Sequence, residues 1–216
     1  MNTAGSPGRS DHRAAAGREA ARIAVYAGAH LGVWAYRPAL ACLPARVAAA
    51  RGTEGPEAVV LAHSQGAFAA EAALRSGRAR PRAVVLLDPS VEPDLAARAP
   101  AGGLGSPAAA AGRRGEGGPW EDAAAGGYRA QARAVASLRA CHGLPDVPLV
   151  ILSATWTRHL PRDRAWWAAQ EWLVDTLARD HPRGAGGVAH HWLRGGHALM
   201  WWRPGAVAAT LAAALG

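Results

Sequence analysis

Strand-like and helix-like segments alternate along this chain, which predicts an α/β fold: a mostly parallel sheet of about five strands flanked by helices. Two observations carry that prediction. Runs such as Ala58-Val59-Val60-Leu61 and Ala83-Val84-Val85-Leu86-Leu87 are continuously apolar, as strands are when both faces of a parallel sheet are covered. Each is punctuated by turn residues, Ser64-Gln65-Gly66 and Asp88-Pro89, before the chain moves on. At 216 residues the chain is long enough for one domain with a sizeable core and too short for two comfortable ones. That domain is assigned to 22–216, and the polar, Gly/Ser/Pro-bearing 1–21 to a flexible N-terminal segment with no apolar region of the secretory kind.

In chain order, 22–26 reads as a short strand, Gly28 to Gly32 as a loop, and Pro38 to Ala50 as a helix with Leu40 and Leu43 on one side. Glu57 to His63 is the next strand. The helix after it stops at Ser76-Gly77, a good C-terminal signal. Residues 83–88 form another buried-type strand. An Ala/Gly-rich lid or loop follows at about 90–145, where periodicity is weak. Val147 to Ser153 resumes the strand pattern, Asp163 to Arg179 reads as a Trp-rich helix, and Val188 to Leu193 is a last strand. A closing helix begins at Pro204, a residue suited to a first helical position.

The formal charge of +8 arises from 24 basic and 16 acidic residues, and every basic residue is Arg. Arg, Ala, Gly and Pro enrichment is what a GC-rich genome produces. The arginines are scattered without interleaved aromatics, so the charge does not point to a nucleic-acid partner. Cys42 and Cys141 fit no metal or redox spacing and read as buried or idle thiols. Nothing approaches a membrane span, and the expected location is cytoplasmic.

Ala62-His63-Ser64-Gln65-Gly66 lies between an apolar strand and a helix-like run. A serine at such a turn projects into the cleft if the residues two places away are small, and here they are Ala62 and Gly66. The pattern is G-x-S-x-G with Ala for the first Gly, and it resembles the nucleophile turn of the α/β-hydrolase superfamily. Arg194-Gly195-Gly196-His197, between the last strand and the closing helix, resembles that family's catalytic histidine loop. Gly28-Ala29-His30-Leu31-Gly32-Val33-Trp34 resembles the early loop of small esterase-like members, with Ala27 where a His is usual.

The resemblance implies Ser64 as nucleophile, His197 as general base, and backbone N–H groups of Gln65 and Ala29 as oxyanion donors. His190 and His191 compete with His197 but sit within a strand. For the acid, the family's usual place after the strand at 147–152 holds no carboxylate: it reads Ser153-Ala154-Thr155-Trp156. Asp88, at the end of the preceding strand, is the candidate that some members use. It reads equally as a strand-end Asp holding an Asp-Pro turn. Asp163 is the runner-up, though it suits a first-turn position on its helix. Trp166, Trp167, Trp172, Trp201 and Trp202 are core packing or walls of an apolar pocket. No cofactor or metal is implied.

These residues describe a serine hydrolase of an ester, thioester or similar acyl bond, with a small-molecule acyl substrate. The alternative is a non-catalytic remnant that binds a small molecule or a partner. The chain also reads as shortened, because only Arg51 to Pro56 separate the early helix from the strand of Ser64. With a strand missing there, five strands pair in sequence order. The early helix is then expected on the face of the helix after Ser64, leaving the opposite face to Gly205 to Leu215 and Ala14 to Ala21. Such an under-covered sheet implies marginal stability, self-association or a partner, and at best a slow enzyme.

Overall fold

The structure is a computed structural model that describes residues 22–28, 31–43, 48–50, 55–91, 127–155 and 161–216, with backbone alone for 48–50 and 161–163. Strands form where the apolar runs predict them: β1 (Arg22–Tyr26), β3 (Ala58–His63), β4 (Ala83–Leu87), β5 (Leu149–Ala154) and β6 (Val188–Leu193). These five pair in parallel and in sequence order. A further strand, β2 (Ala48–Ala50), pairs in parallel with the outer side of β1, so the sheet runs β2-β1-β3-β4-β5-β6.

Strand β2 corrects the helix expected over Pro38 to Ala50. A 3-10 turn (Val33–Tyr36) leads into α1 (Arg37–Leu40), which ends there. The sequence carries Pro44 shortly after, and a proline lacks the N–H and clashes with the preceding turn, so a helix cannot run on to Ala50. The early strand therefore has an outer neighbour. The connection out to β2 also puts α1 on the other face from the one expected: it packs with α5 (Leu199–Trp202) and α6 (Pro204–Leu215).

Alternation along the strands divides the core in two. Ala24, Val60, Ala62, Val84, Leu86 and Ile151 face α2 (Gly66–Arg75) and α4 (Pro161–Asp180). Ile23, Val25, Leu61, Val85 and Leu87 face the 3-10 turn, α1, α5 and α6. Both faces are thus packed, which removes the premise of an under-covered sheet. Residues 1–21, including Ala14 to Ala21, lie outside the described residues.

Most of the region read as a lid or loop also lies outside them, but its last part is α3 (Gly127–Cys141). This helix covers α2 through Phe68, Ala72, Ala132 and Val135, with the Tyr128 ring edge-on to Phe68 at 5.2 Å. A buried ion cluster joins the same layer. Glu71 accepts from Arg139 at 2.6 Å and from Arg75 at 2.7 Å, and Arg75 also reaches Asp180 at 2.7 Å. Burial pushes the Glu71 carboxyl up, but the two guanidinium groups together outweigh it and hold its pKa below the ordinary value. Cys42 and Cys141 are both exposed and free, contrary to a buried reading. Among the described residues no helix is long and apolar enough to cross a membrane.

Candidate active site

The direction of winding reverses between β1 and β3, since the chain leaves β1 outward to β2 and leaves β3 inward to β4. In open parallel sheets the crevice at that switch point, outside the carboxyl ends of the strands, is where ligands bind. Gly28 follows β1 and Ser64 follows β3 at this point. Asp88 follows β4 on the same edge, and His197 follows β6.

Ser64 and Asp88 are the described non-glycine residues with positive φ, at 52° and 39°. Such backbone costs an L-residue about 1–2 kcal/mol and persists only where the surroundings enforce it. They do so at Ser64. Its N–H donates to the Leu87 carbonyl at 3.1 Å, and its own carbonyl accepts from Ala67 and Ser90 N–H, each at 3.0 Å. Helix α2 starts at Gly66, so the Gln65 amide precedes the first helical carbonyls and is one of the N–H groups a helix start leaves without an internal acceptor.

The small neighbours are demanded by contact. A Cβ on Gly66 would stand 2.3 Å from the Tyr26 carbonyl oxygen, and one on Gly28 would stand 3.1 Å from Ser64 Cβ. Gly66→Ala must push α2 away from β1. It is expected to destabilise the protein by about 3 kcal/mol, read from the urea midpoint; an unchanged midpoint would mean that this approach is not as tight as described.

Asp88 is 2% exposed and its two oxygens are divided between two tasks. Oδ1 accepts from the Ala154 N–H at 3.0 Å and from Trp166 Nε1–H at 3.2 Å. Oδ2 accepts from His197 Nδ1 at 2.6 Å, a charge-assisted length. A carboxylate only accepts, so it is His197 Nδ1 that carries the shared proton, and Nε2 is the ring nitrogen left facing away from Asp88. His197 is half exposed, and Trp166 meets its ring edge-on at 6.1 Å. The last residue of β5, Ala154, thus supplies no carboxylate but donates its amide to the one that follows β4.

The competitors lie elsewhere. His190 Nε2 meets Ser153 Oγ at 3.0 Å, and burial, with His191 second, lowers its pKa. Ser153 Oγ donates to Gln170 Oε1 at 2.9 Å, and the Gln170 amide donates to the Pro89 carbonyl at 2.7 Å, so this chain braces the turn after Asp88. Asp163 is in the first turn of α4, with its side chain outside the described residues, as is all of Ala29. Of the tryptophans, Trp167 stacks on Trp192 at 4.2 Å, Trp172 packs against the core, Trp201 Nε1 donates to the Ala35 carbonyl at 2.6 Å, and Trp202 is half exposed.

The sequence reading passed over His63, although a fully buried polar residue at the end of an apolar strand requires a partner. Its Nε2 lies 3.0 Å from the His197 backbone carbonyl oxygen, and its ring is 4.7 Å from the His197 ring. Burial, then the neighbouring His197, pushes its pKa down to about 4. Among the described residues no group of three or more His, Cys, Asp or Glu side chains is arranged to hold a metal.

No family model and no curated protein matches the chain. Solved structures do. Tomato methylketone synthase I complexed with 2-tridecanone is 13% identical, with a TM-score of 0.51 over 90% of this chain and 97% of that one. A mutant of the same enzyme gives 14% and 0.50 over the same shares. An α/β-hydrolase fold protein from Burkholderia ambifaria is 18% identical, with a TM-score of 0.48 over 89% of this chain and 90% of that one. With its parallel sheet ordered β2-β1-β3-β4-β5-β6, the chain shares the fold of tomato methylketone synthase I.

Proposed function

We propose that this protein is a serine hydrolase that cleaves an ester, thioester or similar acyl bond through an acyl-enzyme. The observation that carries the reading is the 2.6 Å bond between His197 Nδ1 and buried Asp88 Oδ2, on the sheet edge that also bears Ser64. Serine is a poor nucleophile until a base takes its proton. In the proposed reaction Ser64 Oγ attacks the acyl carbon and its proton passes to His197 Nε2. Asp88 stabilises the resulting imidazolium. The Gln65 N–H and an early-loop N–H, assigned to Ala29, receive the oxyanion. Collapse breaks the bond to the leaving alcohol or thiol, which takes the proton from His197. Water then attacks the acyl-enzyme, gives its proton to His197, and Ser64 Oγ leaves with that proton as the acid is released.

A small acyl compound is the proposed substrate class. Tomato methylketone synthase I, which shares the fold, is complexed with 2-tridecanone and, as a variant, with beta-ketoheptanoate, both carbonyl compounds on alkyl chains. The test is covalent. A fluorophosphonate is expected to label the native protein at Ser64, mapped by peptide mass, and to leave folded Ser64→Ala unlabelled. Equal labelling of the two proteins would end the nucleophile assignment, and no labelling of either would favour a non-catalytic binding domain.

A further inference from the structure

We infer that His63 is a positioning residue, which fastens the His197 loop to the nucleophile turn by donating its Nε2–H to the His197 backbone carbonyl. The inference deepens the hydrolase reading, and rests on it for its kinetic part.

The direction of the bond follows from chemistry alone. A carbonyl oxygen cannot donate, so at 3.0 Å the proton belongs to His63 Nε2. His63 Nδ1 is then the acceptor nitrogen, buried and without a partner among the described residues. Its surroundings hold it in one pose: the Tyr36 ring meets it edge-on at 6.2 Å, and a Cβ on Gly28 would come within 2.8 Å of Nδ1. Among the described residues the titratable groups around it are Tyr36, His197 and Asp88. A second proton on Nδ1 would find no acceptor among the described residues and would place a charge beside the His197 ring, so His63 stays neutral while His197 takes and returns protons.

Covalent adjacency makes this bond specific. His63 is joined to Ser64 by one peptide bond, whereas Asp88 holds His197 from β4. Asp88 fixes which way the imidazole faces; His63 fixes how far its loop stands from the serine. A displacement of about 1 Å in such a pair costs about 10²-fold in rate.

The test compares two amides. His63→Gln can carry an N–H to the position of Nε2, and His63→Asn is one methylene too short. Hydrolysis of a p-nitrophenyl ester is expected to show kcat within a few-fold of native for the Gln variant and down about 10²-fold for the Asn variant, with KM alike in both. Independently of turnover, the proton shared by His197 and Asp88 is expected as a far-downfield proton NMR signal, identified by its loss in His197→Ala. It should persist in His63→Gln and be lost in His63→Asn. Equal kcat in the two variants, whether high or low, or an equal downfield signal in both, overturns the inference. The signal reports on the loop even if Ser64 fails to label, so failure of this inference and failure of the hydrolase reading are distinguishable.

Discussion

His197→Ala is expected to lower ester turnover by about 10⁶-fold, and adding Ser64→Ala to it is expected to lower the rate no further. In the proposed mechanism the two residues act on the same proton. There, without the imidazole Nε2, Ser64 remains an ordinary hydroxyl, and without the hydroxyl the imidazole has nothing to activate. Neither loss can be counted twice. The measurement is kcat for a p-nitrophenyl ester in the two single variants and the double variant, against the uncatalysed background. His190→Ala and His191→Ala are expected to leave the chemistry intact, since His190 is bound to Ser153 within the sheet and His191 is exposed on β6. A larger loss at either of them than at His197 would mean that the base is misassigned.

Asp88→Asn is expected to cost about 10⁴-fold with little change in fold. The size comes from a tautomer. Ala154 N–H and Trp166 Nε1–H both donate to Oδ1, so an asparagine must keep its carbonyl oxygen there and turn its NH₂ toward His197. That NH₂ donates, which forces His197 Nδ1 to accept and moves the ring proton to Nε2. The base then meets the serine with its proton already in place. Asp163→Asn, on the first turn of α4, is expected to stay near native. Rates of the two variants compared at matched thermal stability decide between the carboxylates. A near-normal Asp88→Asn protein would leave the site without an acid.

Much of this fold is legible because buried parallel strands must be apolar on both faces. Val59, Val60 and Leu61, or Val84 to Leu87, admit few other readings, and their turns follow from Ser64-Gln65-Gly66 and Asp88-Pro89. The His197 loop is legible for a related reason, since Gly195-Gly196 frees the backbone between a strand and a helix. Strand β2 was not. Ala48-Ala49-Ala50 carries no branched or large side chain to mark an edge strand, and alanine favours a helix wherever nothing else decides. The neglected signal was Pro44, which forbids the helix rather than announcing the strand. Asp88 could be proposed from its place, but its division between one histidine and two N–H donors depends on residues 66 to 109 positions away, which no local pattern encodes. The role of His63 is likewise not encoded locally, since the carbonyl it meets belongs to His197, 134 positions away.

The hydroxyl of Tyr128, at the start of α3, is bonded to the Val91 carbonyl, and the two residues are 37 positions apart. Ser90, next to Val91, donates its N–H to the Ser64 carbonyl, so the start of α3 is fastened to the corner that holds Ser64 in its left-handed backbone. A helix far along the chain from the nucleophile turn thus shares in keeping that turn's shape.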